Sequence, residues 1–293
     1  MKESNQNIIV VPTKIKNRIK EICSSFKLSK LEEMVSSNQI KELPIFYSKS
    51  WFDFSVDVQQ VFKDSNFVVI QGLSSDYEGS ELIFATLTVG ESLRTYRNGK
   101  VTKHFKMSPW TKELAHTTYA GEFHTDLNTE THPPEITAIQ CLDPDPGSPH
   151  FGILYIASIS NLLKSLKNSN SQKALHFLME KNVTMLSERS SSSWSGRLIK
   201  EGKVRYHPET LRSAVKRFDI SIPNLESIIC KIEKFALSVS TPLDLHRGDI
   251  VLVSNTKALH RRGESSVIFK KFPTEFESRK IAILHANQEW KLI

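Results

Sequence analysis

The chain has 293 residues, 39% hydrophobic, 24% charged and 9% aromatic, enough for one large domain or two small ones with a real core. No apolar run approaches the ~18 residues of a membrane span, and the start, MKESNQNIIVVPTK, lacks the basic-then-apolar pattern of a secretory leader. The 39 basic and 32 acidic residues leave a net charge of +7, but no Lys/Arg block is as long as five, so a soluble basic surface is expected and nucleic-acid binding is disfavoured.

In chain order, Ile15, Ile19, Ile22 and Phe26 recur at helical spacing just after Pro12 and predict a helix. Residues 31–40 fit a second, shorter one. Residues 66–73, NFVVIQGL, read as a buried strand ended by Gly72. Strands are expected at 136–141 and 151–156, separated by the turn-rich DPDPG of 143–147, then at 203–206, 250–254 and 280–284. Helices are expected at 159–166, 172–180 and 223–237; the last places Leu225, Ile228, Ile229, Ile232 and Phe235 on one face. The serines 190–193 read as a flexible loop. Strands and helices do not alternate as βαβ units and no Gly-rich phosphate loop follows a strand, which disfavours a doubly wound nucleotide fold. The pattern fits a mainly β fold with helical additions, an antiparallel barrel or jelly roll.

Cys23, Cys141 and Cys230 are odd in number, widely spaced and form no CxxC pair, so neither a disulfide framework nor a thiolate zinc site is indicated and a cytoplasmic location is expected. The chemistry points instead to His124-Thr-Asp126. On an extended segment, residues i and i+2 share a face, so one imidazole and one carboxylate can reach a single ion. A distant His would complete the two-His-one-carboxylate set that holds Fe(II) and leaves positions open for oxygen chemistry. The His-x-Asp/Glu pattern is unspecific alone, since about one copy is expected by chance in such a composition. A second copy, His207/Glu209, competes, with His260 downstream of it; but Pro208 sits between its members and the run looks like the start of a helix, so a surface loop is the simpler reading. His116, His132 and His150 read as polar loop residues. His246 precedes a strand rather than ending one and ranks below His260. Single aromatics such as Trp110 and Tyr119 are more often core than pocket.

Two segments, GEFHTDLNTETHPPEITAIQCLDPDPG and GDIVLVSNTKALHRRG, together resemble the taurine dioxygenase and clavaminate synthase-like family of Fe(II)- and 2-oxoglutarate-dependent oxygenases. The matching elements run in order: His124-Thr-Asp126, Pro133-Pro134, the strand at 136–141, Gly248-Asp249, the strand at 250–254, Asn255 and His260. The early strand NFVVIQGL also looks like the family's, so the resemblance covers roughly residue 66 to the C-terminus.

The resemblance implies a double-stranded β-helix (jelly roll) core within a single oxygenase domain over 1–293, with a helical N-terminal part at 1–60 and a helical lid insertion at 160–240. It implies Fe(II) on His124, Asp126 and His260, with O2 and 2-oxoglutarate as co-substrates. Arg279 is placed to pair with the far carboxylate of 2-oxoglutarate, a task that suits a bidentate guanidinium. Substrate contacts are expected from Arg261, Arg262 and Trp194, and the segment 187–205 is expected to be mobile until ligand binds. Two positions depart from the family: Leu154 stands where a Thr often helps to hold 2-oxoglutarate, and Ile283 where many members carry a second Arg that contacts a carboxylate. Asp126 itself argues for hydroxylation or another oxidation over halogenation. The expected reaction oxidises a small molecule, such as an amino acid or a derivative, while 2-oxoglutarate is converted to succinate and CO2. A carrier protein is a conceivable partner. The alternatives are the same chemistry on nucleic acid, a cupin-like metal or anion sensor without turnover, and a zinc hydrolase using the same ligands.

Overall fold

The computed structural model describes residues 7–288 apart from 114 and 189, so the outermost ends of the expected 1–293 domain lie outside the described residues. Its first quarter is mainly helical: after strand β1 (Ile8–Val10) come α1 (Thr13–Ser25), α2 (Leu28–Ser36) and α3 (Lys49–Ser65). Ile15, Ile19 and Ile22 are buried on α1 as their spacing predicts. Helix α3 is capped by Ser48, whose hydroxyl accepts the Trp51 N–H at 3.2 Å. It carries the helical part to residue 65 rather than 60.

Strand β2 (Phe67–Gln71), helix α4 (Ser80–Thr86), β3 (Ser92–Leu93) and β4 (Lys103–Lys106) follow. Next come β5 (Ile136–Asp143), β6 (Leu154–Ser158), α5 (Ile159–Asn168) and α6 (Gln172–Met179). A hairpin of β7 (Asn182–Leu186) and β8 (Ser193–Arg197), a small ribbon of β9 (Ile199–Lys200) and β10 (Lys203–Val204), and helices α7 (Pro208–Phe218) and α8 (Leu225–Val239) lead to the last strands. These are β11 (Thr241–Leu243), β12 (Ile250–Ser254), β13 (Ala258–Arg262), the hairpin β14 (Val267–Lys271) and β15 (Glu275–Ser278), and β16 (Lys280–Asn287).

A seven-stranded sheet runs β1-β2-β12-β5-β16-β3, with β4 also on β16; a smaller sheet runs β11-β6-β13. All pairs are antiparallel except β1 with β2. Alternation along the strands sorts side chains into layers. Phe67, Val69, Ile139, Cys141, Val251 and Ile281 of the large sheet join Leu154, Ile156 and Ala258 of the small one in a single apolar cluster, so the sheets face each other. The intervening residues Val68, Ile70, Ala138, Leu252 and Leu284 turn to the other side and pack under α1, α3 and α4. The outer face of the small sheet, with Ala157 and Leu259, is covered by α5, α6, α7 and α8. The molecule is thus a β core with helices on both faces.

The structure moves several expected boundaries. The strand expected at 151–156 starts at Leu154, because Gly152 adopts φ +76° in the preceding turn. The strand expected at 203–206 pairs only over Lys203–Val204; Tyr206 instead accepts the Thr125 N–H at 2.8 Å, which ties it to the segment between His124 and Asp126. The helix expected from Pro223 begins at Leu225, since Asn224 takes a left-handed conformation. Gly248, at φ +89°, lies so close to the Leu73 carbonyl that a Cβ would sit 2.3 Å from its oxygen, so the turn into β12 requires glycine.

Candidate metal centre and co-substrate cavity

A cavity of about 860 Å³ opens between the two sheets. Ile139, Ile281 and Ile283 line it from the large sheet, Leu154 and His260 from the small one. His124 joins the small sheet through an isolated bridge to His260: His124 N–H donates to the His260 carbonyl at 3.0 Å and His260 N–H donates back at 3.1 Å. That bridge sets the two imidazoles side by side, with ring centroids 4.5 Å apart. Asp126, two residues on, projects to the same place, so His124, Asp126 and His260 offer ligand atoms all within 4.8 Å of one another.

The backbone at this point is clamped by Asn255. Its Oδ1 accepts the Asp126 N–H at 2.7 Å, and its Nδ2 donates to the carbonyls of Asp126 at 3.0 Å and Pro134 at 2.9 Å. The Asn and Pro-Pro elements of the sequence pattern therefore hold one carboxylate in position.

The electrostatics suit a cation. Burial alone would raise the Asp126 pKa, but the surrounding imidazoles of His260, His124 and His285 overturn that and hold it well below the usual carboxylate range. Burial pushes the His260 pKa down, against the pull of Asp126. His124 moves the other way: burial opposes it, but Asp126 prevails and raises it. The His124 Nδ1 lies 2.7 Å from the Glu122 carbonyl, a contact that fixes Nδ1–H as donor and leaves Nε2 its lone pair for a metal. One carboxylate and two imidazoles at this spacing fit Fe(II).

Arg279 precedes β16 and also lines the cavity. It is 2% exposed, and its Nη2 is buried without a hydrogen-bond partner, a costly arrangement unless an anion completes it. A 2-oxoglutarate carboxylate would fit there as the acceptor for this donor. Leu154 and Ile283 line the same space, so the two departures from the family pattern present hydrocarbon to whatever binds there.

The other expected site residues divide by strand alternation. Arg262 shares a face with His260 and lines the cavity, where its guanidinium is held by the carbonyls of Thr117 at 2.6 Å and Tyr119 at 2.8 Å. Arg261 lies on the opposite face, over the Phe123 ring and 3.8 Å from a Glu233 carboxylate oxygen, and is not among the cavity-lining residues. Trp194, on β8, takes the Arg205 guanidinium at 4.9 Å and packs against the helical cluster; it too is absent from the cavity wall. Trp110 and Tyr119 are exposed rather than core. His246 is exposed, beside Asp249.

His207 is no surface-loop residue. Its ring lies 4.9 Å from that of His124 on the cavity wall, and burial together with the His124 charge pushes its pKa down to about 3. Its former partner in the alternative pair, Glu209, turns to Arg212 on the first turn of α7. The sequence reading also missed Thr137, His285 and Tyr96. Thr137 donates to Asp126 Oδ2 at 2.8 Å, His285 Nε2 lies 3.0 Å from the same oxygen, and Tyr96 hydrogen-bonds His285 Nδ1. A signal for His285 was present: Arg279, Ile281, Ile283 and His285 alternate along one stretch, so an inward Arg279 implies an inward His285.

Residues 53–267 match the model of the taurine catabolism dioxygenase TauD, TfdA family. No curated protein matches the chain. Among solved structures, an asparagine oxygenase in complex with Fe(II), 2S,3S-3-hydroxyasparagine and succinate superposes with a TM-score of 0.69 at 13% identity, covering 96% of this chain and 93% of its own. The non-heme iron oxygenase OrfP, in complex with Fe and alpha-ketoglutaric acid, gives 0.63 at 12% identity, covering 96% and 94%. PvcB from Pseudomonas aeruginosa gives 0.56 at 13%, covering 79% of each chain.

Proposed function

Because the chain belongs to the taurine catabolism dioxygenase TauD/TfdA family, we propose that it is an Fe(II)- and 2-oxoglutarate-dependent dioxygenase in which His124, Asp126 and His260 hold the metal and Arg279 binds the far carboxylate of 2-oxoglutarate. One observation carries this reading: three metal-ligating atoms converge within 4.8 Å on a cavity into which a buried arginine also brings an unpaired donor. Iron supplies the oxygen activation that couples decarboxylation of 2-oxoglutarate to oxidation of a substrate C–H bond. The chain's own part is positional. Asn255 fixes the Asp126 backbone, Glu122 fixes the His124 tautomer, and the apolar wall of Leu154, Ile139, Ile281 and Ile283 excludes water.

The two facing sheets, with the His124–His260 bridge extending the smaller one, support a double-stranded β-helix core. We take residues 1–293 as one oxygenase domain and 160–240 as a lid insertion, a reading supported by Ser187, Glu188, His207, Glu209 and Arg212 of this stretch reaching the cavity wall. The substrate is a small molecule such as an amino acid or a derivative; the 3-hydroxyasparagine in the asparagine oxygenase complex and the (3S)-hydroxy-L-Arg in an OrfP complex support that class. Cys23, Cys141 and Cys230 are free thiols, which suits the reducing cytoplasm. Among the described residues no helix is long and apolar enough to cross a membrane.

The test is succinate formation from 2-oxoglutarate with Fe(II) and a panel of amino acids and amino-acid amides. At least one compound should stimulate succinate and gain oxygen mass in the wild type but not in His124→Ala. Succinate release that is indifferent to His124→Ala would overturn the proposal.

A further inference from the structure

The two oxygens of Asp126 are treated differently by the protein. Oδ2 receives the Thr137 hydroxyl at 2.8 Å and the His285 Nε2 at 3.0 Å. Oδ1 faces His124 Nε2 at 3.6 Å and Oδ2 also faces His260 Nε2 at 3.5 Å, both beyond good hydrogen-bond length, so the two oxygens differ in the donors that only Oδ2 receives. Behind His285 stands Tyr96, whose hydroxyl contacts Nδ1. Burial, reinforced by the Asp126 charge, pushes the Tyr96 phenol up, so it stays protonated and donates to Nδ1, leaving Nε2–H as the donor toward Asp126. His285 is 5% exposed and Thr137 is fully buried, so water does not compete for these bonds. Both stand on adjacent strands of the large sheet, where Thr137 of β5 is registered directly opposite His285 of β16.

We propose that Thr137 and His285, backed by Tyr96, are positioning residues that saturate Oδ2 and so restrict Asp126 to binding the metal through Oδ1 alone. This rests on the metal-centre reading above. A metal with three single-atom protein ligands keeps three open positions: two for a chelating 2-oxoglutarate and one for O2. A carboxylate free to close onto the metal with both oxygens would fill one of them. The two donors thus protect co-substrate binding more than metal binding. This separates them from the ligands themselves, whose loss removes the metal.

The test compares wild type, His285→Phe, His285→Gln and Thr137→Val under anaerobic conditions. Fe(II) binding is followed by calorimetry, and 2-oxoglutarate binding by the visible charge-transfer band of the chelate. His285→Phe should bind Fe(II) within about threefold of wild type yet need at least about tenfold more 2-oxoglutarate, with a shifted band. His285→Gln, which keeps a donor at the same reach, should restore most of the affinity, and Thr137→Val should show a milder form of the defect. Unchanged 2-oxoglutarate demand in folded His285→Phe and Thr137→Val would overturn the proposal, as would equal loss of Fe(II) and 2-oxoglutarate affinity. If His285→Phe does not fold, Thr137→Val decides by the same criteria. Absence of any band in the wild type would instead strike the metal-centre reading.

Discussion

Arg279 and Glu81 show how a single buried charge can mark a ligand or merely tax the fold. Arg279 is a guanidinium enclosed between the sheets with an unmet donor, and the account gives that donor to 2-oxoglutarate. Arg279→Ala should therefore raise the 2-oxoglutarate concentration needed for half-saturation by on the order of 100-fold. Arg279→Lys should recover only part of this, because an ammonium cannot reproduce a bidentate fork; full recovery by lysine in a binding titration would contradict the pairing. Glu81, behind the large sheet, has no such role. The residue is 3% exposed, and burial, only partly offset by hydrogen bonds from Ser74 and Gln140, lifts its pKa to about 7. Between its ordinary value and about 7 the folded state binds the proton that the unfolded state has released, so this group's contribution to stability falls as pH rises through that window. Glu81→Gln should be more stable than wild type by about 1–3 kcal/mol at pH 8 and nearly equal to it below pH 5, as read by urea unfolding.

At the scale of elements, how much was legible depends on whether a pattern is local. Helix α1, strands β2 and β12, and helices α5 and α6 announced themselves through apolar periodicity, since each buries one face or both. The grouping of His124, Asp126 and His260, which the structure brings within 4.8 Å, was legible through the family resemblance, since the His-x-Asp spacing is unspecific alone. What stayed hidden depends on pairing. Arg261 and Arg262 are equivalent as letters, and only the register of β13 on β6 sends one to the cavity and the other to Glu233. His207 reads as a loop residue until the Thr125–Tyr206 backbone contact draws it against His124. The expected mobile segment, 187–205, contains β8, which is paired with β7, and the turn that leaves β7 brings Ser187 and Glu188 to the cavity. A Glu-specific protease should cleave after Glu188 in the ligand-free protein, and Fe(II), 2-oxoglutarate and substrate together should slow that cut severalfold. Cleavage at an unchanged rate would remove this turn from the covering role.

For the whole molecule, the arrangement of layers explains why the site lies where it does. Helices on both outer faces leave the space between the sheets as the place where strand ends can bring polar groups together under cover, and the cavity found there holds the His124, Asp126 and His260 ligand set and Arg279. The net charge of +7 plays no visible part in that space, whose wall carries Lys112, Arg212, Arg262 and Arg279 beside Glu113, Glu122, Asp126, Glu188 and Glu209. The central claim is that one metal and one molecule of 2-oxoglutarate meet in this cavity. Anaerobic titration of the metal-free protein with Fe(II) and then 2-oxoglutarate tests it directly. The account predicts a weak visible charge-transfer band that saturates at one equivalent of each, is absent in His124→Ala and demands far more 2-oxoglutarate in Arg279→Ala. A folded wild-type protein that binds Fe(II) but develops no band at saturating 2-oxoglutarate would contradict it and leave a metal-binding sensor as the better description.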